Sequence, residues 1–149
     1  MLHRPRERRG DGVNWETFEH EADVGVRGTG ATLAEAFAGA AMALISVICD
    51  PRTVQARESV AVACAAPDTE LLLVDWLNAL VFEMATRHML FSRFEVAIAD
   101  GRLEAHAWGE AIDAGRHQPA AEVKGVSFCE LRVARQADGS WLAQCVVDV

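Results

Sequence analysis

Over residues 71–84 the chain is apolar almost all the way round a helix. Leu71, Leu72, Leu73, Val74, Trp76, Leu77, Leu80, Val81 and Met84 make up most of it, with Asp75 and Asn78 as polar exceptions on its sides and Glu83 near its end. A helix with no polar face has to be covered on several sides, so it belongs in the middle of a domain. Trp76 reads as core, and Asp75 and Asn78 read as a solvated edge. Pro67-Asp68-Thr69 opens the helix, with Asp68 or Thr69 as its cap. At 149 residues the chain is about one domain, long enough to bury such a segment.

Most of the covering material reads as β-structure. Alternation predicts strands over 14–20, 24–28 and 54–65, with Gly28-Thr29-Gly30 breaking the second. That glycine pair lacks the third glycine and the preceding context of a dinucleotide fingerprint. A second helix starts at Thr32, where Glu35 completes a capping box. Its stripe is Leu33, Phe37, Ala40, Leu44 and Val47; the alanines and Gly39 keep it thin, and Asp50-Pro51 stops it. Asp100-Gly101 between 91–99 and 102–108 is a hairpin signal of type I′. Residues 109–121 form a polar loop holding His117. Residues 122–128 and 129–135 are strand-like, and Ala137-Asp138-Gly139 turns into a last strand over 141–149. Strands outnumber helices and are not regularly interleaved with them. The fold class is therefore α+β: mostly antiparallel sheets packed with two main helices. Residues 1–13 read as a flexible basic tail and 14–149 as the domain.

The formal net charge of −8 argues against strong direct nucleic-acid binding by the surface. No apolar run reaches membrane-spanning length, and the N-terminus lacks the apolar core of a secretory signal. Cys49, Cys64, Cys129 and Cys145 form no CxxC pair and read as buried free thiols of a reducing, cytoplasmic protein, not as a zinc site.

Chemistry concentrates in Phe18-Glu19-His20-Glu21-Ala22-Asp23-Val24-Gly25, an acidic corner between two strands, where the glycine allows a tight backbone. The far end of the chain, Val146-Val147-Asp148-Val149, is an apolar strand ending on a carboxylate. If the sheet sets these ends side by side, Asp23 and Asp148 make an oxygen-rich site for a hard cation. The plainer alternative for Asp23 is an Asx-type turn residue among solvated charges. For Lys124, between Val123 and Val126, it is an edge-strand gatekeeper. His117 reads as a surface histidine. No Ser/His/Asp or Cys/His constellation and no phosphate-cradling loop is present.

Taken together, five segments resemble the archease family, in its order: Phe18 to Gly25, Thr32-Leu-Ala-Glu-Ala-Phe37, Leu73-Val-Asp-Trp-Leu-Asn78, Glu122-Val-Lys-Gly-Val-Ser127 and Val146-Val-Asp-Val149. They span about residues 14–149. The resemblance implies a small α/β sandwich that assists the GTP-dependent RNA ligase of tRNA splicing. That ligase joins 2′,3′-cyclic phosphate or 3′-phosphate ends to 5′-hydroxyl ends. The accessory protein promotes guanylylation of the ligase histidine, sustains multiple turnover and can broaden nucleotide use. By the same resemblance Asp23, Asp148 and the Val149 carbonyl hold a divalent cation, calcium first, with magnesium or manganese as substitutes. The terminal carboxylate of Val149 is an expected replacement or supplement to that carbonyl. Lys124, with His20 and Glu21, would serve activation of the partner; His117 and Asp75 are candidates without an assigned role. Where the family more often has a threonine before an aromatic, this chain has Ser127-Phe128, a mild departure. Two other classes stay open: a stand-alone metal-dependent phosphate-ester hydrolase, and a chaperone-like binding module.

Overall fold

The computed structural model describes residues 7–8 and 13–149. Strand β1 (Glu7–Arg8) pairs with β2 (Val13–His20), which a two-residue turn connects to β3 (Asp23–Gly30). Helix α1 (Leu33–Ile48) follows, then a 3-10 turn (Pro51–Thr53), β4 (Glu58–Ala65), α2 (Thr69–Arg87), β5 (Met89–Ala99) and β6 (Arg102–Ala111). The short helix α3 (Ala114–His117), β7 (Gly125–Arg135) and β8 (Trp141–Asp148) complete the chain. The strands form two sheets, β1-β2-β3-β8-β7 and β4-β6-β5, and every pair is antiparallel. Because β8 pairs with β3, the last strand lies beside the first hairpin. This is the expected α+β class.

The local signals act as their chemistry requires. The Thr32 hydroxyl accepts from the Glu35 N–H at 3.1 Å, and the Glu35 carboxylate reaches back to the Ala31 N–H at 2.7 Å. Asp68 caps α2 by accepting from the Leu71 N–H at 2.8 Å. Asp100 (φ 52°) and Gly101 (φ 74°) both take the left-handed conformation of a type I′ hairpin.

Both helices lie between the sheets, but α1 is the more completely enclosed. Every residue from Ala36 to Cys49 is buried, and α1 packs on β2, β3, β8 and β5. Its one-stripe pattern understated this. The alanines between the stripe positions let backbone approach on all sides, and Gly39 lies against Gly28, where a Cβ on either would strike the opposing backbone. Conversely, α2 is exposed along Asp75, Asn78 and Phe82. Trp76 is fully buried; its indole N–H donates to the Phe37 carbonyl at 3.0 Å, and its ring meets Phe94 edge-on at 5.9 Å.

Asn78 does more than sit at a solvated edge. Its side-chain oxygen accepts from the Val126 N–H at 3.2 Å, and Glu70, two turns earlier, accepts from the Val133 N–H at 3.4 Å. Helix α2 thus runs antiparallel along the free edge of β7 and satisfies edge amides.

Several boundaries differ from expectation. Strand β3 runs on through Gly28-Thr29-Gly30 to pair with β8, and β4 begins only at Glu58, because Val54 closes the 3-10 turn at the start of the expected 54–65 strand. Within the stretch expected to be a flexible basic tail, Glu7–Arg8 pair with β2 and Val13 begins β2, while residues 1–6 and 9–12 lie outside the described residues. The 109–121 loop is shorter, because β6 continues to Ala111 and Asp113 caps α3. Strand β7 begins only at Gly125, so Lys124 precedes it.

Candidate metal centre and a buried acid network

The β2–β3 turn consists of Glu21 and Ala22, with Glu21 held at φ 53°, a left-handed conformation unusual for a branchless acid outside tight turns. It brings His20 opposite Asp23. Along β3 and β8 the pairing ends with Val24 opposite Val147; Asp23 and Asp148 are the next residue on each strand, so continuing the same register sets them side by side at this end of the sheet. On its other side Asp148 faces Gly125 of β7. Residues directly opposed in antiparallel strands share a face. His20, Asp23, Asp148 and Gly125 therefore form one row across four strands at one end of the sheet. Val24 and Val147, the next residues along, point into the core, so the row faces away from α1. Asp23 and His20 are half-buried, and Glu21 and Asp148 are exposed.

Lys124 is tied to the row by its backbone, which donates to the Asp148 carbonyl at 2.8 Å. Its side chain is exposed and Val123 beside it is buried. Behind the row, on the same face, the Phe18 ring occupies the space where a side chain at Gly25 would stand. Gly25 thus serves close ring packing within the strand, and the turn is made without it. The Arg27 guanidinium sits 4.6 Å from the Phe18 ring centroid, pairs with Glu16 and donates to Gln144 at 2.9 Å.

The donor set suits a hard cation: two carboxylates on adjacent strands, with the Val149 backbone next to one of them. Among the described residues no three His, Cys, Asp or Glu side chains gather into a metal site. A cation between Asp23 and Asp148 would take its remaining ligands from backbone carbonyls and water.

Asp75 is exposed on α2 and lies outside this row; it reinforces burial in pushing the Cys64 thiol up to about 11. Cys145 is buried and pushed up to about 12 by desolvation, whereas Cys129 is exposed, contrary to the reading of four buried thiols. It lies in a bulge: pairing jumps from Ser127 opposite Val146 to Arg132 opposite Gln144, and Glu130 within it has φ 53°.

His117 is not a surface residue. It is buried, with Nε2 2.9 Å from a Glu110 carboxylate oxygen and Nδ1 accepting from the Asp113 N–H at 2.9 Å. An accepting Nδ1 assigns the proton to Nε2, which donates to Glu110. Arg116 grips the same carboxylate with two nitrogens, at 2.5 and 2.9 Å, and donates to the Thr53 carbonyl; the Gln55 N–H adds a bond of 2.7 Å. Arg116 first, then the Gln55 N–H and His117, hold the Glu110 carboxyl far below its ordinary value, against the opposing effect of burial. Both imidazole nitrogens are engaged, so this pair offers no free base to a substrate; it locks α3 and the 3-10 turn to the end of β6. Sequence reading missed Glu110. The one available signal was an acid six and seven residues ahead of an arginine and a histidine.

This network has a pH signature. A carboxyl lowered by folding contributes stability in full above its ordinary value, near 4.5, and loses it as the pH falls through the range below, where the unfolded chain takes up the proton first. The Glu110→Gln variant is expected to melt well below wild type at pH 7, with the gap closing as pH is lowered beneath about 4.5. Thermal melts across pH check this; a gap independent of pH would show that ionisation of Glu110 does not stabilise the fold.

With the geometry in hand, comparisons define the class. The Archease protein family model matches residues 15–149. Protein archease of Pyrococcus furiosus is 37% identical over 139 residues, covering 91% of this chain and 98% of its own length. The Methanosarcina acetivorans archease is 36% identical over 143 residues, covering 93% and 97%. Among solved structures, Methanobacterium thermoautotrophicum protein 1598 superposes with a TM-score of 0.78 at 34% identity, covering 93% of this chain and 99% of its own. A Thermotoga maritima archease described as a possible chaperone shares the fold, with a TM-score of 0.58 at 16% identity and coverage of 89% and 94%. The chain belongs to the archease family.

Proposed function

We propose that this chain is an accessory protein that activates the GTP-dependent RNA ligase of tRNA splicing, and that Asp23 and Asp148 carry a divalent cation for that task. The observation that supports the reading is the register of β3 and β8, which ends at Val24 and Val147 and so leaves Asp23 and Asp148, from opposite ends of the sequence, as the next residues on adjacent strands, with Lys124 bonded to the Asp148 carbonyl. When bound, the cation, calcium first, would supply positive charge toward phosphate groups in the ligase cleft. The chain's own residues do the rest. The paired strands bring Asp23 and Asp148 to the same end of the sheet, with Val149 extending the oxygen set. His20 and Glu21 flank them on the β2–β3 turn. Lys124 offers a mobile point charge to a phosphate. Activation then consists of promoting guanylylation of the ligase histidine and renewing it between turnovers.

The same architecture argues against a stand-alone hydrolase. The buried histidine–carboxylate pair is fully engaged, and Cys64 and Cys145 are shifted toward the inert thiol form. Added in small amounts to its ligase, the protein is expected to raise multiple-turnover joining of RNA ends while hydrolysing no nucleotide by itself. A ligase that turns over equally well without it would overturn the proposal, and robust phosphatase activity of the isolated protein would favour the hydrolase.

Lys124→Ala separates chemistry from folding. The side chain is exposed, so its loss is expected to change stability by less than about 0.5 kcal/mol. Guanylylation of the ligase should nevertheless fall strongly. A variant that both melts and activates like wild type would remove Lys124 from the site and leave the acidic pair.

A further inference from the structure

The large hydrophobic side chains exposed among the described residues are Phe82 (63%), Phe128 (63%), Ile112 (43%) and Val149 (38%). Three of these four lie on segments that adjoin the acidic row. Val149 follows Asp148 directly. Phe82 lies one helical turn past Asn78, and the side-chain oxygen of Asn78 bonds Val126 and stands beside Gly125, the residue opposite Asp148. Because α2 runs antiparallel to β7, that extra turn of about 6 Å leads toward Lys124. A helical side chain leans toward the helix N-terminus, which brings the Phe82 ring back over this junction. Phe128 comes two residues after Val126, at the start of the bulge, and is exposed there.

Exposed aromatic rings grouped beside charge are the usual anchors of protein recognition, because each buries a large area at small cost in side-chain entropy. Here the neighbouring charge is acidic, on a chain of formal net charge −8. We infer that Phe82 and Phe128 are the anchors with which this chain docks on the RNA ligase, on a surface with apolar sockets and a basic rim. This inference rests on the activator reading above: the anchors bring the Asp23–Asp148 row to the ligase cleft. The partner's basic rim follows from charge complementarity, and binding weakens as salt screens it.

The test is titration of wild type, Phe82→Ser, Phe128→Ser and the double variant against the intact ligase, with Ile112→Ser as an exposed control elsewhere. Each phenylalanine variant is expected to bind at least about 10-fold more weakly. Its melting temperature and calcium affinity should match wild type, and Ile112→Ser should bind as wild type does. A double variant that binds the ligase normally would overturn the docking surface and leave the activator reading standing. Wild-type protein that binds no ligase would overturn both. Sedimentation covers the remaining occupant: a wild-type dimer that the double variant converts to monomer would assign the patch to a second copy of this chain and overturn the ligase assignment.

Discussion

Replacing Trp76 by alanine is expected to be the most damaging single truncation in the core. The side chain is fully enclosed between Phe37 on α1 and Phe94 on β5, so its loss leaves a cavity that neighbours on three elements cannot all close. Truncations of this kind cost roughly 3–5 kcal/mol. For a domain of this length that is a fall in melting temperature of roughly 6–20 °C. Trp76→Phe, which keeps most of the bulk but loses the hydrogen bond to the Phe37 carbonyl, is expected to cost far less. Ligase activation by Trp76→Ala should fall only with the fraction unfolded and return at lower temperature. Thermal melts paired with a guanylylation assay decide it. A variant that melts like wild type would mean that Trp76 does not fasten α2 to α1.

The second large effect is expected at the acidic pair. Asp23→Ala or Asp148→Ala each removes half of the side-chain charge facing the cation. The loss in affinity should therefore exceed the 10–100-fold typical of removing a mere supporting group from a metal site. Calorimetry with Ca²⁺ and Mn²⁺ measures this directly. A cation bound only by the folded chain also stabilises it by mass action, by about 2.7 kcal/mol at 100 times Kd. The wild-type melting temperature should accordingly rise with added calcium, and those of the two variants should stay flat. Both variants should also fail to activate the ligase. Unchanged cation binding in both would sink the metal assignment, while lost activation with unchanged binding would move the acidic pair to direct partner contact.

How far the sequence could be read depended on whether information was local. The capping box of α1, the Asp68 cap of α2, the Asp-Gly hairpin and the apolar helix around Trp76 are written within a few residues of where they act, and they were legible. Asp23 and Asp148 could be named as candidates from their residue types, but bringing them to the same end of the sheet depends on pairing β3 with β8 across more than a hundred residues, which alternation cannot specify. Long-range partners were hidden for the same reason. Asn78 looked like a solvated residue because its acceptor role is set by Val126, and His117 looked like loop because Glu110 and Arg116 close around it only in the fold. The enclosure of α1 was masked by its alanines, which score as weakly apolar yet permit the closest approach. The bulge in β7 carried no glycine or proline to announce it.

The edge of β7 carries one more consequence. An open strand edge invites another chain to extend the sheet, and many proteins recognise peptides in that way. Here α2 runs along that edge, with Glu70 and Asn78 occupying the amides of Val133 and Val126. On this flank the molecule has no vacant backbone donors at those positions to lend to an incoming strand. A protein that engages the acidic end here has to read side chains rather than main chain, so sequence changes on this flank can alter which partner is accepted without disturbing how the sheet is built.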